Sequence, residues 1–167
     1  MHVLSEYAVK QLLNKDNDLR SVSAAAFDAT ERRLYALPIL RECADDTKEQ
    51  LVALEANATD ALKHHRIYMA KLGCAKTEID PEDAAQAVCA ALRGRLIADE
   101  QEIKRLDNAL ASIRQDPYYD IIPAKYFNNE KPDAIAEWMH CDPATVRRNC
   151  KRLVSRLAMR LYGVECI

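Results

Sequence analysis

Between Pro143 and Tyr162 the chain sets Arg147, Arg148, Lys151, Arg152, Arg156 and Arg160 with no acidic residue among them. Cations at this density bind anions; they do not by themselves break bonds. Val146, Cys150, Leu153, Leu157 and Leu161 recur in steps of three and four, so a helix here packs one side inward and turns the cations outward. A solvated face ordinarily mixes signs, because like charges one turn apart repel by roughly a few tenths of a kcal/mol. A face of a single sign points to an anionic partner.

The residues just upstream say how such a helix is presented. Asp133-Ala134-Ile135-Ala136-Glu137-Trp138-Met139 reads as a short helix opened by Pro132, and His140-Cys141-Asp142 turns the chain. Asp142 is placed to cap the basic helix, with Pro143 in its first turn, where the missing N–H costs nothing. A short helix, a tight turn and a second basic helix follow the grammar of a helix-turn-helix, whose second helix enters the major groove by its N-terminal turns. On that helix Ala144, Thr145 and Arg148 are the predicted base readers, since a small side chain permits close approach and an arginine pairs bidentately with guanine. Arg147, Lys151 and Arg152 are the predicted phosphate contacts, while Arg156 and Arg160 lie further from the groove.

Other chemistries find little support. The chain has 167 residues, 49% of them hydrophobic, with 26 Ala, 18 Leu and only three glycines, Gly73, Gly94 and Gly163. Glycine-rich phosphate loops and two-residue hairpins need glycine repeatedly, so Rossmann, P-loop and meander folds are not expected. No Ser/His/Asp spacing, apolar carboxylate pair or HExxH motif occurs, and neither catalysis nor a cofactor is expected. Cys43, Cys74, Cys89, Cys141, Cys150 and Cys166 stand singly, as idle thiols of a reducing compartment do. His64-His65 and His140-Cys141 do not make ligand spacing, so no metal site is expected.

The elements that position the basic helix are helical throughout. Helices are predicted at 3–14, 21–36, 38–72, 82–114, 117–127, 133–140 and 143–162, with proline mostly marking beginnings. Leu37, Leu40, Ala44, Thr47, Leu51, Leu54, Ala58, Ala61, His65, Tyr68 and Leu72 form one heptad seam; Cys89, Leu92, Leu96, Asp99, Ile103, Leu106, Leu110 and Ile113 form another. Asp99 in that seam reads as a register-setting polar residue and His65 as a core or interface histidine. Gly73 ends the first arm and Asp80-Pro81 starts the second. The fold class is therefore all-α: a long antiparallel, coiled-coil-like hairpin plus a C-terminal helix-turn-helix. Residues 1–115 form the oligomerisation or partner-binding region and 116–167 the DNA-binding region. A seam within one chain and a seam between two copies look alike in sequence; a homo-oligomer is expected. With no long apolar run and no leader pattern at Met1, no membrane partner is expected and the expected location is the cytoplasm.

The stretch from about Leu96 to Gly163 resembles the small phage-type transcriptional regulators of the ArpU and RinA kind, whose C-terminal unit is similar to region 4 of sigma-70 factors. The residues that carry the resemblance are Tyr126-Phe127, Ala134-Ile135-Ala136-Glu137, Ala144-Thr145-Val146-Arg147-Arg148, Arg156-Leu157-Ala158 and Leu161-Tyr162-Gly163. It covers about the C-terminal two fifths of the chain. It implies sequence-specific binding of double-stranded DNA and activation of prophage or late genes, with RNA polymerase as a further partner. Two departures stand out: Lys131 takes the place of a capping Ser or Thr, and Pro123 interrupts a segment that is an unbroken helix in the family. A small terminase-like DNA-packaging subunit, or a helical adaptor whose basic face meets an acidic protein, is the alternative reading.

Overall fold

The structure, a computed structural model, describes residues 22–56 and 81–163. These form five α-helices and no strand: α1 (Ala24–Ala56), α2 (Pro81–Ala111), α3 (Ile121–Tyr126), α4 (Pro132–Trp138) and α5 (Pro143–Tyr162). The all-α class expected from composition is what the chain adopts. The expected helix at 3–14, the stretch 57–72 with its part of the seam, His64, His65, Gly73 and Asp80 lie outside the described residues.

The described residues fall into two compact units, 38–56 with 81–104, and 22–37 with 105–163. In the first, Leu51 and Leu54 of α1 pack with Cys89 of α2, flanked by Val88, Leu92 and Leu96. Lys48 meets Glu100 at 3.3 Å while Arg93 meets Glu55 at 2.6 Å. As α1 advances α2 retreats, so the two segments run antiparallel here. Both pairs are half exposed, so water screens them and they add little to stability. Burial of the seam supplies the stability: Ala44, Thr47, Leu51 and Leu54 fall on the predicted heptad and all are buried. Thr47 satisfies its buried hydroxyl on the Cys43 carbonyl at 2.7 Å, so a polar seam residue is tolerated.

Asp99 is the exception in that seam. Its side chain is only 19% exposed, its Oδ2 makes no hydrogen bond among the described residues, and its nearest cation is Arg95 Nε at 3.7 Å. An under-satisfied carboxylate in an apolar seam costs more than a shape-matched apolar residue. Asp99→Leu is therefore expected to raise the stability of the chain by about 1 kcal/mol in urea unfolding. A lowered midpoint would show instead that the carboxylate has a partner in the assembled protein.

The second unit is built on the leading part of α1 and the trailing part of α2. Leu34 and Leu37, Leu106 and Leu110, Ile113, Ile121 and Ile122, Ile135, and Leu153 and Leu157 are all at most 5% exposed. Residues 116–163, the described part of the segment expected as a separate region to 167, share their packing with 22–37 and 105–115. Two element boundaries differ from expectation. Pro38 lies inside α1 rather than at a helix start, so the ladder there lacks one N–H donor to the Leu34 carbonyl. Fully burying Leu34 and Leu37, in the turn before the proline, offsets a cost of about 3 kcal/mol. The helix expected from 117 begins instead at Ile121. Residues 112–122 advance by successive i→i−3 bonds, and the Asp116 carboxylate accepts the Tyr118 N–H at 3.1 Å in place of a helical ladder. Pro123, expected to break a helix, is the third residue of α3, within the first turn whose N–H groups have no helical acceptor.

Candidate nucleic-acid interface

Helices α3, α4 and α5 pack on one another, and the chain between α4 and α5 is four residues long. The turn that joins them is made by backbone bonds. His140 N–H reaches the Glu137 carbonyl at 3.2 Å and Cys141 N–H the Ala136 carbonyl at 3.0 Å, the paired bonds of a Schellman ending. Such an ending needs a left-handed residue, and His140 supplies it at φ 52. Glycine ordinarily holds this position because it lacks the Cβ clash. His140→Gly is accordingly expected to stabilise the chain by about 0.5–1 kcal/mol without altering the turn, read by chemical unfolding.

Helix α5 then starts as its sequence dictates. The Asp142 carboxylate accepts the Ala144 N–H at 2.9 Å from an extended residue, and Pro143 follows in the first turn. At the other end Gly163 takes φ 67 and its N–H returns to the Met159 carbonyl. The helix spans Pro143–Tyr162, as predicted. Its partner α4 is opened by Pro132 after Lys131, which makes no side-chain cap.

The six predicted site residues divide. Ala144, Arg147, Arg148 and Lys151 are exposed, and the spacing of Ala144, Arg148 and Lys151 puts them one above another on the face opposite buried Val146, Cys150 and Leu153. Neither Arg148 nor Lys151 has an ion-pair partner among the described residues. Arg147 lies 3.7 Å from Asp133, a pair exposed on both sides. Thr145 is half-buried, and its carbonyl is taken by the Asn149 amide at 3.0 Å.

Arg152 differs from the phosphate contact expected of it. Its guanidinium grips Asp116 with two bonds of 2.8 Å, Nη1 to Oδ2 and Nη2 to Oδ1, while its Nε donates to Asn149 at 3.2 Å. Arg156 adds a bond of 3.0 Å to the same carboxylate. Bidentate arginine–carboxylate pairing is directional and strong, so Arg152 is tied inward, while half-exposed Arg156 is held by its one bond. The Arg152 hydrogen bonds, helped by the Tyr118 N–H and the charge of Arg156, outweigh burial and hold Asp116 below the usual carboxylate range.

No family model, curated protein or solved structure matches this chain. The interface therefore stands on its own geometry, and its support matters as much as its surface. Below α5, Tyr126 and Lys125 of α3 both donate to Glu31 of α1, and Cys150 of α5 lies 3.5 Å from the Tyr126 hydroxyl and 3.7 Å from Lys125 Nζ. Burial alone would raise the Glu31 pKa, but the bonds from Tyr126 and Lys125 hold it below its ordinary value. Tyr35 meets the Tyr126 ring edge-on at 4.8 Å between centroids. This polar knot fixes α5 against α1 and α3, and sequence spacing gave no sign of it because its members lie up to 119 positions apart. No group of three or more potential metal-ligating side chains occurs among the described residues. Nor is any helix among them long and apolar enough to cross a membrane.

Proposed function

We propose that this chain is a sequence-specific DNA-binding regulator of transcription, of the phage type its sequence resembles, that reads the major groove with the leading half of α5. The observation that carries this reading is the exposed face of Ala144, Arg148 and Lys151, flanked by Arg147, on a capped helix held behind a short turn. Small side chain, guanidinium and ammonium on one face are what base edges and phosphates require. On this reading Ala144, Arg148 and Thr145 meet bases, Arg147 and Lys151 meet phosphates, and Arg152 holds the helix in place. Self-association, a contact with RNA polymerase and a cytoplasmic setting belong to the same proposal.

Fluorescence anisotropy with random and selected duplexes, combined with mass measurement in solution, tests it. Selection of one operator by a dimer supports regulation. A ring-sized assembly would favour a DNA-packaging subunit, and no duplex binding would leave a helical adaptor. Lys151→Ala is expected to weaken all duplexes alike and to lower the log–log salt slope by about 0.9, one phosphate's worth. An unchanged slope removes Lys151 from the interface.

A further inference from the structure

We propose that the cleft where α5 meets α1, α3 and α4 binds a small organic anion that has an apolar body and competes with DNA for the cations of α5. The cleft, half open to solvent, has a volume of about 180 Å³. A cavity of about 150 Å³ accepts a benzene ring, so this one holds a single ring or a short branched chain with its headgroup. Its floor is apolar: Phe27 of α1, Ile135 of α4 and Val146 of α5. Ile135 and Val146 are at most 2% exposed and form the fixed base of the cleft, while half-buried Phe27 supplies apolar surface that a ligand can reach.

Charge decides the headgroup. Lys125, Arg147 and Lys151 line the cleft against one carboxylate, Glu31. Glu31 already accepts from Lys125 and Tyr126, which leaves the ammonium of Lys151 and the loosely paired Arg147 for an incoming carboxylate or phosphate monoester. A ligand combining both features satisfies floor and rim at once, the usual logic of small-molecule sites. An anion seated there holds Arg147 and Lys151 away from DNA phosphates, so occupancy lowers duplex affinity. That consequence rests on the DNA-binding reading; the binding itself does not.

Amide NMR shifts of the full chain, titrated with benzoate, benzyl alcohol and inorganic phosphate, test the site. Benzoate is expected to shift Phe27, Val146, Arg147 and Lys151 saturably, with benzyl alcohol about tenfold weaker for want of the charge. Phosphate is expected to move Arg147 and Lys151 but neither Phe27 nor Val146. Phe27→Ala should weaken benzoate by about tenfold and leave duplex affinity unchanged. Benzoate that binds no better than phosphate, or that leaves Phe27 and Val146 unmoved, overturns the site. Saturating benzoate that fails to displace bound duplex overturns the competition. A chain that binds benzoate but ignores duplex supports the cleft and refutes the DNA reading.

Discussion

Asp116→Ala is expected to destabilise the chain by about 2–3 kcal/mol, the largest single loss on its surface-facing side. The carboxylate is only 8% exposed and joins Arg152 and Arg156 to the segment that precedes α3. Its removal leaves the Arg152 guanidinium, about a quarter exposed, with two donors unmade. Water reaches part of that guanidinium, which keeps the loss below the 3–5 kcal/mol or so of a fully buried pair. Asp116→Asn keeps the shape without the charge and should lose roughly half as much. The sign of the pH effect follows from the depressed carboxyl. Protonation in the unfolded chain begins near its ordinary pKa of about 3.9, so the stability contributed by Asp116 is present above that pH and lost as pH falls through the lower folded value. Urea unfolding at neutral pH and near pH 3 checks both points: the gap between wild type and Asp116→Asn should close in acid. Arg152→Ala should lower stability yet leave the DNA salt slope unchanged. A slope reduced as far as in Lys151→Ala would return Arg152 to the phosphate contacts.

The same pair shows where sequence reasoning stops. Asp116-Pro117 has the look of a cap and first residue, because that dipeptide opens helices elsewhere in the chain, at Asp142-Pro143. The two carboxylates are chemically alike but only one of them starts a helix. Asp142 meets the N–H two residues on at a helix start; Asp116 does the same in a turn and spends its remaining capacity on Arg152 and Arg156. Only tertiary packing brings residue 116 to residue 152, so neither the helix start at Ile121 nor the Asp116 pairing of Arg152 is written in the local sequence. Pro38 is a parallel case, in which burial of Leu34 and Leu37 overrides a local helix breaker. What local rules do encode came through well. Helix α5 carries its own cap, proline and terminal glycine, and the period of Val146, Cys150, Leu153 and Leu157 marks the buried side. His140 hides the left-handed turn, because glycine is the residue that most often marks one and histidine gives a far weaker signal.

Helix α5 also changes character along its length, so its six cations do not form one continuous face. Past Lys151 the helix sinks into the core: Leu153, Val154, Ser155, Leu157 and Ala158 are all buried, leaving too little surface for a groove. Arg152 and Arg156 turn to Asp116, and exposed Arg160 in the last turn stands apart from the cluster of Arg147, Arg148 and Lys151 in the first turns. Arg148, in the middle of that outward stretch, is therefore expected to carry the largest share of discrimination. Arg148→Ala should cost about 1–3 kcal/mol on the selected duplex, or roughly tenfold to a hundredfold in affinity, and relax preference at one base pair. Stability should barely change, since the side chain is exposed and makes no ion pair among the described residues. Arg148→Lys separates the two ways an arginine binds DNA. A guanine reader loses its bidentate fork and with it most of the discrimination, whereas a phosphate contact keeps its charge and loses little. Competition anisotropy against a panel of duplexes substituted one base pair at a time gives the answer, and an equal loss on every duplex would move Arg148 from the base readers to the phosphate contacts.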